Sequence, residues 1–205
     1  HLNQKIIVQN NDDLKMLVGW GVLDILKSKL FKGSGVMITK FINLKEIEGI
    51  PTVCFASRFL RDKGIYEFVS AARLIKKRGI KARFCLAGDI DINNPTSLNI
   101  EELNNLKKDK DIEILGYQKD IAYLYSQSHI ICLPSYREGL PKSLIEAAAA
   151  SRAVVTTDVP GCREAIIPNK TGLLVPVKDP EKLADALQWL IEHPQERIAM
   201  GKAGR

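Results

Sequence analysis

No stretch of the 205-residue chain reaches the roughly 18 consecutive apolar residues that a membrane-spanning helix needs. Aromatic residues make up only 6% and do not interleave with the basic ones, which argues against a nucleic-acid surface. The four cysteines, Cys54, Cys85, Cys132 and Cys162, form no CxxC pair and have no metal-ligand spacing. Three of them sit inside apolar runs, where cysteine behaves as a small buried hydrophobe. A disulfide framework is therefore not expected, and a reducing cytoplasm is the expected location. His1, His129 and His193 lack ligand spacing; His129 opens a strand pattern and reads as structural, and His193 precedes Pro194 at a helix end. The chain opens on His1-Leu2-Asn3-Gln4-Lys5, with neither Met nor a charged-then-apolar leader, and stops within a helical pattern at 202–205. Both ends are expected to be cuts within a longer protein.

What is present is ordinary for a globular chain: 45% hydrophobic and 26% charged residues, with a net charge of +6. The positive charge comes from clusters such as Lys76-Lys77-Arg78 and Lys107-Lys108-Asp109-Lys110. These read as solvated helix ends, with weak attraction to anionic lipid or phosphate-bearing substrates as the functional alternative. From residue 51 onward, unalternating apolar runs at 52–56, 83–87, 112–115, 129–133, 153–157 and 172–175 are separated by helix-period stretches near 65–78, 98–108, 120–127, 141–150 and 180–192. Runs without alternation suit strands covered on both faces. The rhythm predicts an α/β fold, a doubly wound parallel sheet with right-handed crossovers. Residues 1–45 depart from it. Ile6-Ile7-Val8-Gln9 suggests a strand, Asn11 or Asp12 a helix cap, and Gly33-Ser34-Gly35-Val36 a turn. The expectation is a remnant of another domain over 1–45, a joint near 45–51, and a main domain over 46–205.

In such a sheet, ligands bind outside the carboxyl ends of the strands. After the first main strand comes Ser57-Arg58-Phe59-Leu60-Arg61-Asp62-Lys63-Gly64, ahead of a helix from Ile65. Arg58 and Lys63, in a loop feeding a helix N-terminus, can converge on an anion. A solvated loop is the plainer alternative. After the fourth run comes Glu138-Gly139-Leu140-Pro141, with Pro141 suited to the first helical position and Gly139 permitting close backbone approach. Glu146 lies one to two turns into that apolar helix. A carboxylate there needs partners. It either makes a salt bridge to a nearby Lys or Arg, or accepts from a pair of ligand hydroxyls, as in acidic recognition of a ribose.

Glu138 and Glu146 form a Glu-x7-Glu pair. Together with Ser57-Arg58-x4-Lys63-Gly64, Ala87-Gly88-Asp89, Leu115-Gly116-Tyr117, Val159-Pro160-Gly161-Cys162-Arg163-Glu164 and Thr171-Gly172-Leu173-Leu174-Val175, it resembles the retaining glycosyltransferases of family 4. Order and spacing agree from about residue 33 to 192. Val8-Gln9-Asn10-Asn11-Asp12-Asp13 and Gly33-Ser34-Gly35-Val36 are similar to members that add hexosamine-type sugars to lipid-linked bacterial glycans.

The resemblance implies the C-terminal, donor-binding half of a two-domain GT-B enzyme. By analogy Arg58 and Lys63 hold the donor diphosphate with help from the Gly139-Leu140 amides. Glu146 takes the ribose hydroxyls, Glu138 contacts the transferred sugar, and Gly116-Tyr117 lies beside the base. The implied reaction is retaining transfer from a nucleoside-diphosphate sugar, with UDP expected, onto a glycan or lipid-linked acceptor held by a domain outside this chain. Peripheral membrane association of the full enzyme would follow from such an acceptor. Rival readings are a sugar-nucleotide epimerase or phosphorylase on the same fold, or a non-catalytic nucleotide-binding module. Asp89-Ile90-Asp91 mimics the Asp-x-Asp metal motif of a different glycosyltransferase fold. Here it follows a strand of a doubly wound pattern, and no metal is expected. Ser151 stands where the family often has Gly, at a helix end whose left-handed geometry would cost about 1 kcal/mol relative to Gly.

Overall fold

The computed structural model describes residues 5–42 and 45–205; His1 lies outside them. Six strands form one all-parallel sheet: β3 (Thr52–Ala56), β4 (Arg83–Ala87), β5 (Glu113–Gly116), β6 (Ile130–Leu133), β7 (Ala153–Thr157) and β8 (Gly172–Val175). Their spatial order is β5-β4-β3-β6-β7-β8. The sequence-based runs at 112–115 and 129–133 are thus offset by one residue. All four residues of β6 and all five of β7 are buried, as unalternating apolar runs require.

Helices α2 (Ile65–Lys77), α3 (Ile100–Lys107), α4 (Ile121–Ser126), α5 (Lys142–Ala149) and the short α6 (Cys162–Ala165) connect the strands, and α7 (Pro180–Glu192) and α8 (Pro194–Gly204) follow β8. Helix α2 shows why they dock. Its apolar positions Ile65, Phe68, Val69, Ala72 and Ile75 recur at helical spacing and all are buried. Phe68 meets Phe55 of β3 and Phe84 of β4 at centroid separations of 5.6 and 6.0 Å.

Helix α5 ends in a Schellman turn. Arg152 N–H donates to Ala147 O and Ser151 N–H to Ala148 O, both at 2.9 Å, with Ser151 at φ +55°. The other end of α5 corrects the sequence reading: Pro141 is the cap, and the first helical residue is Lys142.

Ahead of this sheet, β1 (Ile6–Val8) pairs in parallel with β2 (Ser28–Leu30) across α1 (Asn11–Gly19). The cap of α1 is Asn10, one residue before Asn11 and two before Asp12, the expected candidates; its side chain accepts from Asp13 N–H at 2.7 Å. Strand β2 was not expected, because Ser28-Lys29-Leu30 is too short and polar to stand out.

Buried polar groups tie the joint at 45–51 to the main sheet. Arg197 holds Glu46 at 2.9 Å, and Arg152 donates to Lys45 O at 3.1 Å. His129 Nδ1 accepts from Thr52 N–H at 3.0 Å, so its proton sits on Nε2, facing Ile47 O at 3.0 Å. The structural reading of His129 holds.

Candidate functional site

The chain runs outward from β3 to β5 on one side, then returns to β6 and runs outward to β8 on the other. The crossovers after β3 and β6 therefore leave toward opposite edges of the sheet, and their loops meet at this switch point, where α/β sheets bind ligands. The loop after β3 carries Arg58 and Lys63. Gly64, at φ +77°, brings it against the loop after β6: a Cβ there would lie 2.1 Å from Pro134 O. Ser135 Oγ and Tyr136 N–H both donate to Asp62 O, at 3.1 and 2.8 Å, locking the two loops together. Tyr136 OH donates to Glu67 at 2.7 Å; burial, then this contact, push the phenol above its ordinary range.

The two cations rest on separate carboxylates. Lys63 Nζ donates to Glu138 Oε1 at 2.6 Å, with both side chains mostly buried. Arg58 donates to Asp91 Oδ2 at 2.6 Å, and here the arginine is 59% exposed. Each cation thus has its own carboxylate partner in the chain, and Asp91 is a member of the site that sequence reasoning read only as a metal-motif mimic.

The Glu138-Gly139-Leu140 backbone is gripped from two sides. Gly161, at φ +80°, approaches so closely that a Cβ would lie 2.4 Å from Glu138 O. From the N-terminal segment, fully buried Asn10 donates to Gly139 O at 2.9 Å and to Glu138 O at 3.4 Å. A Cβ on Gly139 would lie 2.1 Å from Gln9 Oε1. Asn10 had no assigned role from sequence; its place in Val8–Asp13 was noted, but a partner 129 residues away leaves no local signal. Behind the loop, burial pushes the Cys162 thiol up to about 11, making it a packing residue.

Glu146 projects from α5 with its side chain 15% exposed and Lys142 at 3.3 Å, one helical turn back. Because Lys142 is largely exposed, that contact contributes little on its own. Glu146 lines a cavity of about 1050 Å³ with Tyr117, Lys142, Phe41 and Tyr123. A neighbouring cavity of about 430 Å³ is lined by Arg58, Gly88, Asp89, Asp91, Ile92 and again Tyr117. Gly116, at φ +68°, makes the turn that presents Tyr117 to both. Among the described residues, no group of three or more His, Cys, Asp and Glu is placed to hold a metal.

The family model for glycosyl transferases group 1 matches residues 38–205. This chain belongs to that family. A group 1 relative, the N,N'-diacetylbacillosaminyl-diphospho-undecaprenol alpha-1,3-N-acetylgalactosaminyltransferase of Campylobacter jejuni, is 35% identical over 156 residues, 76% of this chain and 39% of that protein. The chain therefore spans well under half of that relative. The C-terminal domain of the group 1 protein LpcC from Francisella tularensis superposes with a TM-score of 0.68 at 26% identity, covering 83% of this chain and 94% of that one. Anabaena HepE, solved with UDP-glucose, gives a TM-score of 0.84 at 16% identity, covering 98% of this chain and 57% of that one. The six-stranded parallel sheet with its flanking helices is thus Rossmann-like and matches solved GT-B glycosyltransferase structures.

Proposed function

We propose that this chain is the donor-binding part of an enzyme that moves a sugar from a nucleoside diphosphate, UDP first among the candidates, to an acceptor hydroxyl with retention. The setting is synthesis of bacterial surface glycan or lipid-linked oligosaccharide, and a hexosyl or N-acetylhexosaminyl group is the cargo. The observation that carries the reading is Glu146: a carboxylate on an apolar helix, facing a cavity it shares with Tyr117 at the carboxyl edge of a parallel sheet. Two oxygens on one fixed side chain suit the paired hydroxyls of a ribose.

In this scheme Gly116-Tyr117 flanks the base, while Arg58 and Lys63 meet the diphosphate with the Gly139 and Leu140 amides at the mouth of α5. Glu138, beside Lys63, faces the sugar. Breaking the bond from sugar to diphosphate leaves the electron pair on the departing phosphate oxygen. Cations and amides fixed there favour the transition state over the ground state. Those cations stand in for a divalent ion, so catalysis needs no metal. The acceptor binds through a domain to which residues 1–45 belong; β1 and β2 expose Ile6, Ile7 and Leu30, apolar faces suited to further strands. A lipid-linked acceptor would hold the enzyme against the inner face of the membrane. No helix of the described residues is long and apolar enough to cross it.

The test is transfer of radiolabelled sugar from UDP-sugars by the full-length enzyme, with and without EDTA. Label in a glycan or lipid acceptor, unaffected by chelation, supports the reading. Release of sugar to phosphate, epimer formation, or nucleotide binding without turnover would each replace it with one of the rival activities.

A further inference from the structure

We infer that Asp91 is an internal competitor for the anion site, occupying Arg58 when the crevice is empty and displaced when a diphosphate arrives. This rests on the reading that Arg58 binds the donor diphosphate, and adds a residue that sets how tightly it does so. Asp91 lies in the segment Asp89–Asn99 between β4 and α3, which folds back over the Arg58–Lys63 loop. The far end of that segment is bolted down. Leu60 pairs with Ser97 in an antiparallel bridge, Arg61 N–H donates to Thr96 O at 2.8 Å, and Leu98 N–H donates to Phe59 O at 2.9 Å. Arg61 also donates to Ser97 O at 2.7 Å and, through Nη2, to both oxygens of Glu102 at 2.6 and 2.8 Å, and Tyr66 OH and Asn99 N–H donate to Glu102 as well.

The near end carries the carboxylate, and its direction is fixed by the bolted end. Asp91 N–H donates to Ser97 Oγ at 2.9 Å, and Oδ1 accepts from Asn93 N–H at 3.3 Å. That leaves Oδ2 aimed at Arg58, 2.6 Å away. Both residues line the cavity that Tyr117 shares. Unlike the mostly buried Lys63–Glu138 pair, this one is solvent-exposed on the arginine side, so it is weak enough to exchange. A diphosphate brings at least two negative charges to Arg58, outbids one carboxylate, and pushes Asp91 aside.

Replacing the carboxylate with an amide removes both the competitor and its repulsion of the incoming anion. Exposed pairs of this kind correspond to factors of up to about five in an equilibrium constant. The experiment is calorimetric titration of UDP and of inorganic pyrophosphate into the wild-type chain, Asp91→Asn, Arg58→Gln and the double variant, at low and high salt. Asp91→Asn is expected to bind both probes about two- to fivefold more tightly. The gain should shrink at high salt and vanish in the Arg58→Gln background. Ser97→Ala, which frees the segment without touching charge, should give part of the gain. Unchanged or weaker binding by Asp91→Asn, or an equal gain without Arg58, overturns the inference while wild-type binding leaves the diphosphate site standing. A wild-type chain that binds neither probe overturns both.

Discussion

Replacing Gly64 with Ala tests whether the Arg58–Lys63 loop works only because it touches the loop after β6. The substitution has two costs. An alanine at φ +77° pays roughly 1–2 kcal/mol for left-handed backbone. Its Cβ would also lie 2.1 Å from Pro134 O, 2.7 Å from Pro134 C and 2.9 Å from Pro134 Cγ. Ordinary contact begins near ~3.5 Å, so the loops must part by about 1 Å, an overpacking cost of about 1–3 kcal/mol. The sum, about 2–5 kcal/mol, corresponds for a domain of this size to a fall of about 4–20 °C in melting temperature. Lys63 immediately precedes the glycine, so parting the loops carries its ammonium away from the Gly139 and Leu140 amides with which it would share the diphosphate. Nucleotide affinity should therefore fall even where the variant is fully folded. Circular dichroism melts and a UDP titration below the variant's melting range read the two effects. A melt within a degree or two of wild type, with unchanged affinity, would refute the close-contact reasoning.

Ser151→Gly should stabilise the chain by up to about 1 kcal/mol, because Ser151 sits at φ +55° in the α5 Schellman turn; a rise of about 2–4 °C in melting temperature is the check. His129 is held neutral chiefly by burial, with its pKa below the ordinary 6.5. The unfolded chain therefore binds its proton first, so stability declines as pH drops below about 6.5 until the folded-state value is passed. His129→Gln should flatten that decline in denaturant melts across this range. Burial lifts the Cys54 thiol to about 12 and Cys85 to about 11. A thiol reagent at neutral pH should accordingly modify none of the four cysteines, all buried, until the chain unfolds.

The strands of the main sheet were legible because burial on both faces writes itself as apolar runs: Thr52–Ala56 and Ala153–Thr157 end where expected. Strand edges with a charged or polar first residue slipped by one, as at Glu113 and His129, where the hydrophobic pattern and the hydrogen-bond ladder disagree. Ser151 was legible because the family that the chain resembles often has Gly at that helix end. The cation pairings were not. Loop composition placed Arg58 and Lys63 near an anion, but Arg58 meets Asp91 only because the Asp89–Asn99 segment folds back, held by Arg61–Glu102 across 41 residues, and Lys63 meets Glu138 only because the loop after β6 packs against its own. Asn10 was hidden for the same reason: side chains that brace a loop from a distant element carry no periodic mark.

The claim that α5 presents a nucleotide-binding carboxylate is tested most directly by titrating UDP, GDP and ADP into the wild-type chain, Glu146→Gln and Glu138→Gln. Glu146 is paired only with exposed Lys142 among its described ion pairs, so the fold should barely notice Glu146→Gln. Hydrogen bonds to a charged group contribute about 1.5–3 kcal/mol, so the variant should lose about ten- to over a hundredfold in affinity for plain UDP. Glu138→Gln should keep UDP affinity within about threefold of wild type and show its defect in turnover with the sugar donor. Unaltered UDP affinity in Glu146→Gln, or equal losses in the two variants, would contradict the account.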